Sequence, residues 1–389
     1  MPDTKAIDKV LEEAVGSGQV PGVTAAAANA DGSMYEAAFG RRSLAGGAAM
    51  TNDTVFRIAS MTKAVTGTAA MQMVEQGKLN LDQPAGEILP FLVSPMVLDG
   101  TDANGEPKLR PAKGAVTLRK LLTHTAGFVY DTWNGDMNKY AAKAGIPAAR
   151  TGKIAALHAP LGFDPGQRWE YGINIDIAGR MVEVVSGKDL ETYFHDHLFG
   201  PLGMRDTGFV LKPQWKDRMA QVHTRDEKGV LTPIESMPPA ENPEFYPGGG
   251  GLFSTSHDYL VFLRALMRGG ELNGTRILKP ETVALMGQNH MGALNVLPMK
   301  SFNARMSNDC ELFPGMDKKW GLSFLINTQD VPGARSAGSL AWAGINNTYY
   351  WLDPVKNIAG VLMTQILPFA DKTVLGLLDR FERAVYAAA

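Results

Sequence analysis

A chain of 389 residues, 45% hydrophobic and 20% charged, can bury a sizeable core as one large domain or two intertwined ones. Its formal net charge of −2 excludes a basic stripe for nucleic acid or an anionic membrane surface, and no stretch nears the roughly 18 uninterrupted apolar residues of a membrane span. The single cysteine, Cys310, excludes an internal disulfide framework and fits a reducing compartment. With no apolar leader visible in "MPDTKAIDKVLEEAVGSG", a cytoplasmic location is expected.

In chain order, residues 4–16 predict an amphipathic helix with Ile7, Val10, Leu11 and Val15 on one side. "VTAAAANADGSMYEAAFG" predicts a β-hairpin, two strand-like runs around the turn pair Asp31-Gly32. Helical patterns follow at 60–76, 117–123, 174–185, 188–198 and 257–268. The stretches 91–116 and 286–318, with their Pro, Gly and Asn, read as long loops, which are more often functional than idle. The second carries Met286, Met291, Met299, Met306 and Met316 with Leu294, Leu297 and Phe302. A soft wall over an acyl pocket and the ordinary packing of a long loop both fit that composition.

Near the other end, "WGLSFLIN", "GSLAWAGINNTYYWLDP" and "NIAGVLMTQI" predict three more strands, and a terminal helix follows at about 371–386. Strands at both ends with helical material between them predict one antiparallel sheet. It is assembled from 1–65 and 290–389 and flanked by helices, with a mostly helical segment at 66–289 and the active site between the two. No repeat and no low-complexity tract interrupts this pattern.

Chemistry enters at "RIASMTKAV", residues 57–65. On a helix, Ser60 and Lys63 share a face, so the amine can reach the hydroxyl. Partial burial would lower the lysine pKa toward that of a useful base, and a helix N-terminus favours negative charge beside it. The pair alone also fits a helix N-cap with a solvated lysine.

Other candidates have plainer readings. His124 lies in a helix-to-loop turn and suits a structural hydrogen-bonding role rather than a Ser-His pair. His195 and His197, two apart on a helix, point away from each other and read as surface groups. The quartet Gly248–Gly251 is followed by no Lys-Ser/Thr, so it reads as a loop packed under the site and not as a phosphate cradle. No Gly-x-Ser-x-Gly occurs, and Cys310 lacks a paired histidine signature and reads as inert.

The segment "FRIASMTKAVTGTAAMQMVEQGKLNLDQPAGEILP" resembles the active-site helix and following loop of the serine β-lactamase and penicillin-binding superfamily. The nearest match is the class C β-lactamase-like group that includes the family VIII carboxylesterases. The resemblance continues through "VTLRKLLTHTAGF" at 116–128, "PGQRWEYGINIDIAGRMVEVVSGKDLETYFHDHLFGPLGMRDTGF" at 165–209, "GGGGLFSTSHDYLVFLRALM" at 248–267 and "AWAGINNTYYWLDP" at 341–354. It therefore covers nearly the whole chain. It implies an α+β fold of the serine β-lactamase/penicillin-binding-protein type: an antiparallel sheet flanked by helices plus an all-helical domain.

The resemblance makes Ser60 the nucleophile, Lys63 its base partner and Tyr171 the second-motif tyrosine that shuttles a proton. The family's lactamases usually have Tyr-x-Asn there. This chain has Tyr171-Gly172-Ile173, with Asn174 one position late. The third motif, Lys-Thr-Gly or similar, is matched by Trp342-Ala343-Gly344, so the cation that would pair with a β-lactam carboxylate is replaced by an aromatic face. Ala343 and Gly344 let the strand approach an acyl group, and the backbone N–H groups of Ser60 and Ile345 would form the oxyanion hole. The expected function is a serine carboxylesterase acting on neutral, short- to medium-chain esters through an acyl-enzyme. Its partner is then a small-molecule ester, with no nucleic acid, membrane, metal or organic cofactor. The rivals are β-lactam hydrolysis, amide cleavage or acyl transfer to an alcohol at the same site, and a catalytically silent sensor.

Overall fold

In the computed structural model the strand Gly22–Ala28 (β1) is buried along its whole length. An alanine-rich strand of this kind fits where helices press on both faces of a sheet. The described residues are 4–102, 104, 106–236 and 238–389. Residues 1–3 of the expected sheet segment, and 103 and 105 of the stretch 91–116, lie outside them.

β1 joins β2 (Ser33–Gly40), β3 (Lys318–Trp320), β4 (Leu325–Asn327), β5 (Leu340–Gly344), β6 (Thr348–Asp353) and β7 (Ile358–Met363) in one sheet. The order is β3-β4-β5-β6-β7-β1-β2, with every neighbouring pair antiparallel. Strands from the two ends of the chain therefore meet at β1 and β7, where Thr24 pairs with Met363 and Ala28 with Ala359.

The helices that bear on the sheet and the site are α1 (Lys5–Gly16), α2 (Thr62–Glu75), α3 (Asn174–Ser186), α4 (Ser256–Met267) and α5 (Lys372–Ala388). Consecutive strand residues point to opposite faces, and β6 shows which helix covers which. Tyr350 meets Tyr259 of α4 with ring centroids 5.2 Å apart, while Trp351 meets Phe381 of α5 at 5.7 Å. Helix α1 buries Ile7, Leu11 and Ala14 and packs beside α5. Helix α4 falls within the stretch 66–289 yet lies on β1 and β7. Helix α2 is buried on nearly every side and packs along α3. No helix among the described residues is long and apolar enough to cross a membrane.

Several predicted elements divide. "WGLSFLIN" forms two short strands, β3 and β4, because the backbone reverses at Gly321, whose N–H donates to the Phe324 carbonyl at 2.8 Å, with Ser323 at φ +77°. That reversal sends Ser323 against Gly67 of α2, where a Cβ on the glycine would meet the serine side chain. "GSLAWAGINNTYYWLDP" likewise forms two strands, β5 and β6, which turn at Asn347. The first hairpin turns on Ala30-Asp31 rather than Asp31-Gly32, since Asn29 N donates to Gly32 O and the Asn29 side chain accepts from the amides of both Asp31 and Gly32. The expected loop 91–116 contains the hairpin Met96–Thr101/Pro107–Pro111.

On β7, Gly360 sits opposite Trp351, and a Cβ there would lie 2.1 Å from the indole. Gly360→Ala is expected to lower stability by about 1–3 kcal/mol through overpacking, read from urea denaturation.

Candidate active site

The chain reaches Ser60 through a pinned turn. Phe56 and Arg57 pair with Ser254 and Phe253, and Ile58 N donates to Leu252 O at 3.1 Å. Ala59 then takes φ +44°, an uncommon conformation for a side-chain-bearing residue. Ser60 follows in the short 3-10 turn Ala59–Met61 that leads into α2. The glycine quartet runs along this helix as a strap: Thr66 Oγ1 donates to Gly248 O at 2.7 Å, and Leu252 N donates to Thr62 Oγ1 at 3.1 Å.

Lys63 is fully buried, and its Nζ reaches Ser60 Oγ at 3.1 Å, Tyr130 Oη at 3.2 Å and Gly249 O at 2.5 Å. Burial lowers its pKa to about 7, against the opposing pull of the Asp176 carboxylate. The amine therefore loses its proton near neutrality.

Tyr171 faces the same amine, its ring centroid 4.7 Å from Nζ. Burial raises its phenol pKa, while hydrogen bonding with Ser60 and Trp342 opposes the rise. Trp342 Nε1 donates to Tyr171 Oη at 3.0 Å, which commits the indole to the tyrosine. Behind them His124, at φ +56°, takes the Gly172 amide on Nδ1 at 3.4 Å, with Asn174 Nδ2 at 3.0 Å. Burial first, then the charge of Lys63, lowers the His124 pKa, so the imidazole is neutral. Its ring centroid lies 4.8 Å from that of Tyr171, the two rings tilted by 54°, and it makes no hydrogen bond to Ser60.

Gly344 ends β5 against the nucleophile turn: a Cβ there would lie 2.3 Å from Ile58 O, so the glycine permits the approach. The next residue, Ile345, lines a cavity of about 380 Å³ together with Ala59, Gly250, Phe253, Tyr246 and Met306. Within the described residues neither the Ser60 nor the Ile345 amide donates a backbone hydrogen bond. Trp342, Ala343 and Gly344 do not line this cavity, although Trp342 borders a separate small one. Arg57 does line it, with Cζ 4.9 Å from the Phe253 centroid, and its buried Nε has no partner.

The structure thus brings Ser60, Lys63 and Tyr171 together. It adds Tyr130 and Asp176, which the sequence reading missed. A carboxylate amid the apolar run "NIDIAGRMV" was the available signal, because a buried charge needs a partner. Of the other polar candidates, Cys310 is buried and its thiol is pushed up to about 12 by burial. His195 is exposed beside Asp196 on the π turn His195–Phe199 that ends the helix expected at 188–198.

Comparison with known proteins gives a consistent picture. A family model described as Beta-lactamase matches residues 7–381. Monacolin J acid methylbutanoyltransferase of Aspergillus terreus is 32% identical, covering 98% of this chain and 95% of its own length. Lovastatin esterase of Penicillium rubens is 30% identical over 98% of each chain. An unliganded simvastatin synthase structure from Aspergillus terreus superposes with a TM-score of 0.86 at 31% identity, covering 98% of this chain and 97% of the other.

Proposed function

The chain belongs to the Beta-lactamase family, and we propose that within it the protein makes and breaks carboxylic esters through an acyl group carried on Ser60. The observation that carries this reading is the 3.1 Å approach of Ser60 Oγ to an amine that burial brings to a pKa of about 7.

Neutral Lys63 takes the Ser60 proton as Oγ attacks the ester carbonyl. The amides of Ser60 and Ile345 hold the oxyanion. The ammonium of Lys63 and the phenol of Tyr171, which stays protonated at neutral pH, return a proton to the departing alkoxide. Water or a second alcohol then repeats the sequence in reverse. Hydrolysis and acyl transfer differ only in that final nucleophile, and the relatives bear names of both kinds. A β-lactamase role has less support. No lysine stands at Trp342, and the Asn174 amide turns away to Phe128 O at 2.8 Å.

The alcohol portion of the ester sits in the cavity beside Arg57. A half-buried guanidinium whose Nε is buried without a partner, and which has no carboxylate partner among the described residues, calls for an anion. We therefore replace the expectation of neutral esters with an alcohol that carries a carboxylate on an apolar skeleton. The word "acid" in the name of the A. terreus transferase agrees with this.

The test supplies p-nitrophenyl butyrate as acyl donor and hydroxydecanoate or its methyl ester as acceptor, with nitrocefin alongside. Acyl-Ser60 should be found by peptide mass analysis, and the free acid should be the better acceptor. Arg57→Gln should lower transfer to the acid about tenfold while sparing the methyl ester. Equal use of acid and methyl ester would remove the anionic acceptor. Rapid nitrocefin turnover without ester cleavage would remove the esterase–transferase reading.

A further inference from the structure

Asp176 is almost fully buried, and no cationic side chain lies within ion-pairing distance of it among the described residues. Its Oδ1 accepts from Gly249 N at 2.9 Å, and the carbonyl of the same glycine accepts from Lys63 Nζ at 2.5 Å. One residue thus bridges carboxylate and amine, its N–H on one and its C=O on the other. A Cβ on Gly249 would fall 2.3 Å from Asp176 Oδ2, so this contact needs glycine. Oδ2 itself is buried and has no hydrogen-bond partner.

We propose that Asp176 is a positioning residue for Lys63: it fixes the Gly249 strap whose carbonyl seats the amine, and it serves as that amine's buried countercharge. The inference rests on the Ser60–Lys63 reading above and adds the group that sets when Lys63 is free to act. The other groups facing Lys63 are Ser60 on its own turn, Tyr130 and Tyr171 on the loops opposite, and His124 behind them. Burial keeps both phenols protonated and the imidazole neutral, so Asp176 is the one group of this cluster able to carry a negative charge beside the amine. Burial raises the Asp176 pKa, and the charge of Lys63 is the first influence opposing that rise. The plainer alternative is an acid in the first turn of α3 that only favours the helix dipole. That role would not touch the titration of Lys63.

A fluorophosphonate separates the two. Ser60 Oγ forms the bond to phosphorus, fluoride leaves, and the serine proton passes to Lys63, so the rate follows the neutral amine whatever the natural substrate. Asp176→Asn keeps the shape and an acceptor for Gly249 N while removing the charge. Its midpoint for phosphonylation should fall by about one pH unit. Gly249→Ala keeps every titratable group but drives strap and carboxylate apart, and should slow phosphonylation about tenfold or more at all pH values. An Asp176→Asn midpoint equal to wild type overturns the proposal. Should that variant fail to fold by near-UV circular dichroism, a Gly249→Ala rate equal to wild type overturns it instead. Absence of any Ser60 adduct on the wild type would remove the acyl-enzyme reading itself, and this inference with it.

Discussion

Ser60→Ala is expected to lower kcat/KM on p-nitrophenyl esters by on the order of 10⁴–10⁶-fold while leaving the fold intact. In the proposed mechanism this hydroxyl is the group that forms the covalent intermediate. Of the contacts it loses, that to Lys63 Nζ is one of three the amine makes, and Tyr130 Oη and Gly249 O remain to hold it, while Tyr171 Oη keeps the Trp342 N–H. Thermal midpoints should therefore agree closely between variant and wild type, and the acyl adduct should vanish from the peptide spanning this residue. Full ester turnover in the variant would refute the acyl-enzyme mechanism outright.

Lys63→Met is expected to cost about 10²–10⁴-fold in kcat/KM, the usual contribution of a positioned general base, and to abolish the pH dependence that base imposes. In the wild type the rate should rise with pH through about 7 as the amine loses its proton. Stability carries a matching signature whose sign is fixed. The folded-state pKa of about 7 lies below the value near 10.4 of an unfolded lysine. Between those two values the unfolded chain binds the extra proton, so wild-type stability rises with pH, by up to about 1.4 kcal/mol per unit. Below the window the burden of burying an ammonium is fully present, and above it that burden is gone. Urea midpoints measured against pH should show wild type gaining on the methionine variant across this window. Parallel curves would mean that Lys63 is not depressed.

The Ser60–Lys63 contact was legible because it depends only on i, i+3 spacing, which the 3-10 turn Ala59–Met61 running into the helix Thr62–Glu75 preserves. Tyr171 became legible through the resemblance, since no periodicity places a loop tyrosine 111 positions away beside a given serine. Tyr130 and Asp176 escaped for a physical reason. Their meeting with Lys63 is decided by how α3 and the glycine strap pack on α2, and residue type does not announce such packing. The role expected of Trp342 illustrates the same limit: an aromatic in place of a lysine suggested a wall for substrate, whereas its N–H is spent on Tyr171. In the fold, alternation located the strands, but their number was undercounted wherever a tight reversal fell inside an apolar run. Gly321–Phe324 is such a place, its four residues all buried, and at Ile345–Asn347 the reversal is so short that the apolar runs on either side read as one.

The pairing of β1 with β7 has a consequence for biosynthesis. Thr24 and Met363 are register partners on adjacent strands of the sheet although nearly the entire chain separates them. At roughly 5–20 residues per second, the ribosome completes the partner on the order of half a minute after the alanine-rich strand emerges. Through that interval the β1 edge of the nascent hairpin stays open and, in the sequence GVTAAAA, free of charge, and an edge of that kind recruits other strands. Chaperone capture of early chains, and a yield that falls with expression rate, are the expected costs of a sheet whose last strand closes on its first.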